Sequence, residues 1–109
     1  MTYQHKQLAG GTWKKLSFFA QMANIGSEVE RAIKWRENNN NYSRAAFERA
    51  LELIDLTIED KKNRQRLKEL VRLREVLADY FEYKNIYNSS DGKWRSYFLA
   101  FNYAARLGA

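Results

Sequence analysis

The chain has 109 residues, a net charge of +6 and neither cysteine nor proline, which excludes a disulfide framework and thiolate metal sites and suits one domain burying about two thirds of its unfolded surface. No segment approaches the ~18 apolar residues of a spanning helix, and the opening MTYQHKQLAGG carries no apolar signal-peptide core. A soluble cytoplasmic protein with no membrane partner is expected, a single domain over 1–109 with residues 1–12 as a flexible tail.

Strong helix formers dominate and glycine occurs at only five positions, so the whole chain reads as all-α. In the first predicted helix, about Ser17 to Glu37, Phe18, Met22, Ile25, Val29 and Ala32 recur at spacings of four and three, with Phe19 and Ile33 widening the stripe. Small residues at Ala23, Asn24, Gly26 and Ser27 interrupt it. They predict close approach of a neighbouring helix, since a mid-helix glycine costs ~1 kcal/mol relative to alanine; a ligand pocket over Gly26 lacks convergent reactive groups. The run Asn38 to Asn41 predicts a polar loop, because asparagine side chains compete for backbone hydrogen bonds.

Ser43 is the expected N-cap of a second helix that presents Ala46, Phe47, Ala50, Leu51, Leu53, Ile54 and Ile58 and ends near Glu59 or Asp60. Asn63 is the expected cap of a third, in which Leu67, Leu70, Val71, Leu77, Ala78 and Phe81 form the main stripe and Leu73, Val76 and Tyr80 a flanking one. After the turn-forming run Asn85 to Gly92, Trp94, Tyr97, Phe98, Phe101 and Ala105 predict a short fourth helix. Four amphipathic helices joined by short links imply an antiparallel four-helix bundle.

Charge is distributed unevenly along this pattern. The fourteen residues Lys61 to Arg74 hold seven Lys/Arg and one acid, and the rest of the chain balances at twelve of each sign. Arg64, Lys68 and Arg72 follow one another at four-residue spacing, an arrangement that helix electrostatics disfavour by about 0.2 to 0.5 kcal/mol per like-charged pair. The alternative is a solvated face partly neutralised by Glu59, Asp60, Glu69 and Glu75. Because folding alone opposes the row, an anion-binding surface made of Lys61, Lys62, Arg64, Arg66, Lys68, Arg72 and Arg74 is expected. Such residues would hold phosphates with steep salt dependence. Zinc-finger spacing, an RNP-type strand and a glycine-centred helix-turn-helix link are all missing, which favours RNA or a ribonucleoprotein over sequence-specific duplex DNA.

Nine of sixteen aromatic residues fall between Tyr80 and Tyr103, more than a small bundle readily buries. One set is expected in the core, and Tyr83, Tyr87, Trp94 and Tyr97 at a subunit or partner interface; base stacking is the alternative role. Trp13 and Trp35 are expected to anchor the N-terminal segment or rim an interface.

Catalysis finds little support in the residues. The sole histidine, His5, lies in the expected tail, and no cysteine offers a nucleophile. Glu48, Glu52 and Asp55 occupy adjoining turns, but a carboxylate di-metal site needs Glu-x-x-His motifs. They read instead as a solvated acidic face pairing with Arg44, Arg49 or another helix. No phosphate-binding loop is present, and the Arg-x(4–6)-His motif of HEPN-type ribonucleases cannot be assembled. No catalytic residue, metal site or cofactor is expected.

Three stretches, SFFAQMANIGSEVERAIKW, AFERALELIDLTIEDKKNRQRLKELVRLREVLADYF and YFLAFNYAAR, resemble a small family of uncharacterised bacterial and archaeal proteins over roughly residues 13 to 106. In size, basicity and helical layout the chain is also similar to four-helix-bundle proteins encoded in ribosomal RNA intervening sequences and to their Avd-type relatives, accessory proteins of diversity-generating retroelements. The intervening-sequence signature Asn-Ile-Ala-Glu-Gly stands here as Asn24, Ile25, Gly26, Ser27 and Glu28. Avd-type proteins form ring-like pentamers whose basic surface binds a reverse transcriptase and its RNA. The resemblance therefore implies a non-enzymatic homo-oligomer acting on RNA or an RNA-containing enzyme. The alternative is a protein–protein adaptor with an aromatic surface and no direct nucleic-acid role.

Overall fold

The computed structural model describes residues 11–108; residues 1–10, with His5 and most of the expected tail, lie outside them. Among the described residues the fold is all-α, built from four α-helices. A 3-10 turn, Trp13–Lys15, precedes α1 (Phe18–Trp35), which begins where the Ser17 hydroxyl accepts from the Ala20 N–H at 3.1 Å, the N-cap role.

Helix α2 (Asn40–Glu59) starts earlier than the sequence suggests. Asn39, not Ser43, is the cap, its side chain accepting from the Tyr42 N–H at 3.1 Å. Asn40 and Asn41 thus belong to the first helical turn. Ser43 is buried inside the helix and donates to the Ala32 carbonyl of α1 at 2.6 Å.

The next correction falls in the basic block. Lys61–Arg66 is a 3-10 segment, and α3 begins only at Leu67 (Leu67–Glu82). The segment is capped by Asp60, whose carboxylate accepts from the Lys62 N–H at 3.2 Å. Asn63 is no cap at all but is buried. On α3 the buried positions are Leu70, Leu73 and Leu77, whereas Leu67 and Val71 are 44% and 50% exposed. The apolar face is therefore rotated toward the residues expected to flank it, because α3 packs on α2 at one side and meets Trp94 through Tyr80 at the other.

Asp79, buried near the end of α3, accepts from the backbone N–H groups of Ile86 and Tyr87, each at 3.1 Å. These bonds close the loop to α4 (Asp91–Arg106), with Asn85 and Asn88 at positive φ, a conformation asparagine tolerates better than most residues. At sixteen residues α4 is as long as α3, not short.

Contacts between helices run in reverse sequence order. Ser43 meets Ala32, Arg49 meets Glu28 and Asp60 meets Gln21, so α2 runs against α1. Arg95 pairs with Glu30 and Phe101 meets Phe18, so α4 runs against α1 as well. Arg74 to Asp55 and Glu82 to Arg44 give the same relation for α3 and α2. Helix α1 is central, with extensive packing on both α2 and α4.

Helices α1 and α4 approach closely at Gly26, where an added Cβ would sit 2.8 Å from Phe98 Cβ and Cγ. These atoms belong to the root of a buried side chain and cannot swing aside. The small residues of α1 thus serve packing. Gly26→Ala should gain helix propensity yet lose about 1–3 kcal/mol net from overpacking, seen as a lowered thermal midpoint in calorimetry; an unchanged or higher midpoint would show that the contact is loose.

Candidate nucleic-acid interface

The position of the basic block is set by buried polar groups. Gln21, fully buried on α1, donates to the Trp13 carbonyl at 3.0 Å and to the Asp60 carboxylate at 2.9 Å. Its amide oxygen accepts from Asn63 at 2.8 Å, and Asn63 also donates to the Thr57 carbonyl at 3.0 Å. Thr57 in turn donates to the Leu53 carbonyl and accepts from the Trp13 indole N–H at 3.0 Å. Both amide N–H donors of Gln21 and both of Asn63 are used, as burial demands.

With Asn63 turned inward, its neighbours face solvent. Lys61, Lys62, Arg64, Arg66, Lys68 and Arg72 are all exposed. Lys62 reaches back to the Asp60 carboxylate and donates to the Lys14 carbonyl at 3.0 Å. That contact brings Lys14 and Lys15, both exposed, beside the block. The sequence alone does not place Lys14 and Lys15 beside the block, because they lie 47 and 46 positions from Lys61, and it is the bond to Lys62 that reveals the proximity.

The seven expected contact residues are not equivalent. Among the described residues, Lys61, Arg64 and Lys68 form no ion pair. Arg66 pairs weakly with Glu69 at 3.5 Å and lies over the Phe18 ring, 4.3 Å from its centroid. Arg72 lies 4.6 Å over the Tyr87 ring. Arg74 leaves the group, because it is half-buried and holds Asp55 of α2 through bonds of 2.7 and 3.3 Å. Hydrogen bonding to that carboxylate raises its pKa. Arg74 is therefore a tie between helices.

The expected aromatic interface also divides. Trp94 is buried, stacked on Phe98 with centroids 6.1 Å apart, so it belongs to the core; its indole N–H has no acceptor among the described residues. Tyr97 is half-buried against Trp94, Phe98 and Phe101, and burial, reinforced by the adjacent Glu69 carboxylate, pushes its phenol pKa well up. Tyr87 donates to Glu75 at 2.6 Å. Tyr83 is 72% exposed and free to meet a partner. Trp13 does anchor the N-terminal segment, buried at the Thr57 bond.

The carboxylates of α2 do not make one solvated face. Glu48 pairs with Arg44 at the surface, Asp55 holds Arg74, and Glu52 is buried. Arg49 instead pairs with Glu28 on α1 at 2.6 Å. Among the described residues no helix is long and apolar enough to cross a membrane. No protein-family model matches the chain, and comparison with curated proteins and with solved structures finds no match.

Asp60 supplies a pH signature for the anchor. Burial pushes its carboxyl pKa up, but hydrogen bonds from the Lys62 ammonium, the Gln21 amide and the Lys62 backbone together outweigh that and hold it below the ordinary carboxylate value. The folded state thus binds this proton less readily than the unfolded state. Its contribution is fully present above the unfolded carboxylate pKa and is lost as pH falls through the lower folded value. The stability difference between the native chain and Asp60→Asn, measured by urea unfolding, should shrink on acidification; a difference constant through that range would exclude an ionic role for Asp60.

Proposed function

We propose that this protein is a non-enzymatic helical bundle that binds RNA, or an enzyme carrying RNA, through the surface centred on Lys61, Arg64, Lys68 and Arg72. The observation that carries this reading is the set of exposed cations that have no carboxylate partner among the described residues, beside a segment anchored from within by Asn63 and Asp60. A surface that served only solubility would gain nothing from concentrating like charges, whereas phosphate binding uses them directly. Lys14 and Lys15 widen the footprint. Following the resemblance to Avd-type proteins, the partner is a retroelement reverse transcriptase with its RNA, and the working form is a cytoplasmic homo-oligomer.

The reading is tested by RNA binding across a salt series. Reversal of Arg64, Lys68 and Arg72 to glutamate should abolish binding at moderate salt and reduce the log–log salt slope by about 2, at ~0.7 per single-strand phosphate contact. Helicity should be unchanged. Arg74→Gln serves as the control, leaving the slope intact while costing up to about 1 kcal/mol of stability at this partly exposed pair. Equal affinity of the triple variant and the native chain at low salt would overturn the assignment.

The adaptor reading is favoured by a different observation. Leu99, Tyr103 and Leu107, at four-residue spacing along and just beyond α4, are each at least 66% exposed, and such contiguous apolar surface marks association sites. Leu99→Glu with Tyr103→Glu should then lower the mass seen by sedimentation without altering the RNA salt slope. Unchanged mass would remove this stripe from any self-association interface.

A further inference from the structure

Helices α3 and α4 touch mainly through side chains, Tyr80 against Trp94 with centroids 6.5 Å apart and Tyr97 donating to Glu69 at 3.4 Å. Their backbones stay apart compared with the α1 contacts, and between them lies a cleft of about 330 Å³. Its walls are apolar and aromatic, from Val76, Trp94 and Tyr97, and its rim carries Arg72, Lys93 and Glu69. Arg72 belongs to the basic face already described, so the cleft opens beside that face.

We infer that this cleft receives one unstacked base of a single-stranded RNA whose backbone runs over the basic surface; the inference rests on that surface binding RNA. The size suits a planar heterocycle with its sugar, and an aromatic wall binds any base through its π-face. Arg72 and Lys93 stand where phosphates flanking the inserted base need cations. Glu69 can accept from a base N–H donor, which a purely phosphate-binding surface would have no use for. A duplex hides its base faces, so this geometry selects single strands. Lys93 joins the contact set through folding alone, since it lies on α4 and outside the basic block.

The test compares a labelled single-stranded RNA with an abasic RNA of equal length by fluorescence anisotropy, using the full chain. The native protein should bind the base-bearing strand about tenfold more tightly or better, the range expected for one stacked base. Val76→Phe, which fills the cleft, should bring the two strands to equal affinity with the salt slope unchanged. Ser89→Phe fills it from the loop, where the Ser89 backbone bonds to the Asn85 side chain at 2.8 and 3.0 Å do not involve the replaced atoms. It should act alike, which guards against misfolding of either variant. Equal, salt-dependent binding of both strands by the native protein would overturn the base site and leave the phosphate surface standing. Absence of binding to either strand at low salt would remove both.

Discussion

The structure depends on one buried amide. Gln21 occupies a fully buried position on the central helix, and a polar group there is tolerated only if each of its hydrogen-bonding positions is answered. Trp13, Asp60 and Asn63 answer them, so the segment before α1, the end of α2 and the start of the basic block converge on a single side chain. An unmet donor or acceptor would cost about 1–3 kcal/mol. The convergence is therefore specified, in a way that apolar burial, which is non-directional, could not achieve.

This constraint explains how the chain carries so many like charges in one place. A six-residue 3-10 stretch is longer than such segments usually run, and Lys61, Lys62, Arg64 and Arg66 repel one another. The cost is offset by contacts behind the segment. Asn63 is pinned by two bonds, and Asp60 caps the stretch while neutralising Lys62. Repulsion at the surface and satisfaction underneath are separate terms, so Lys61 and Arg64 can stay without an ion pair among the described residues and the segment still holds. A face that remains charged and fixed is suited to an anionic polymer, which needs several cations held in place at once.

How much of this was legible in the sequence depends on the range of the interaction. The helices follow from periodicity, because Met22, Ile25, Val29 and Ala32 repeat at helical spacing and are buried as that spacing requires. Ser17 sits where a helix start needs a polar acceptor, and that too is local information. Asn63 and Ser43 have residue types that suit caps, but their actual partners, Gln21 and the Ala32 carbonyl, are 42 and 11 positions away and invisible to local pattern. Arg74 is indistinguishable from Arg72 in the sequence. Asp55 across the helix interface separates them. The same limit hid Lys14, Lys15 and Lys93, which join the basic surface only through folding.

The aromatic residues of α4 show why composition alone could not divide core from interface. Phe98 turns inward toward Gly26, where the absence of a Cβ lets α4 approach α1 closely, and Trp94 stacks on Phe98. That approach commits α4 to α1, and α3 is committed to α2 by Leu70, Leu73, Leu77 and the Arg74 bond to Asp55. Two helices each held by a different partner need not close on one another, and the space between α3 and α4 is bridged by Tyr80 and Tyr97 instead of by backbone packing. The open side of the bundle thus follows from the closeness of its other side. It lies against the charged face, so the glycine that tightens α1 against α4 also sets the position of the aromatic wall beside the cations.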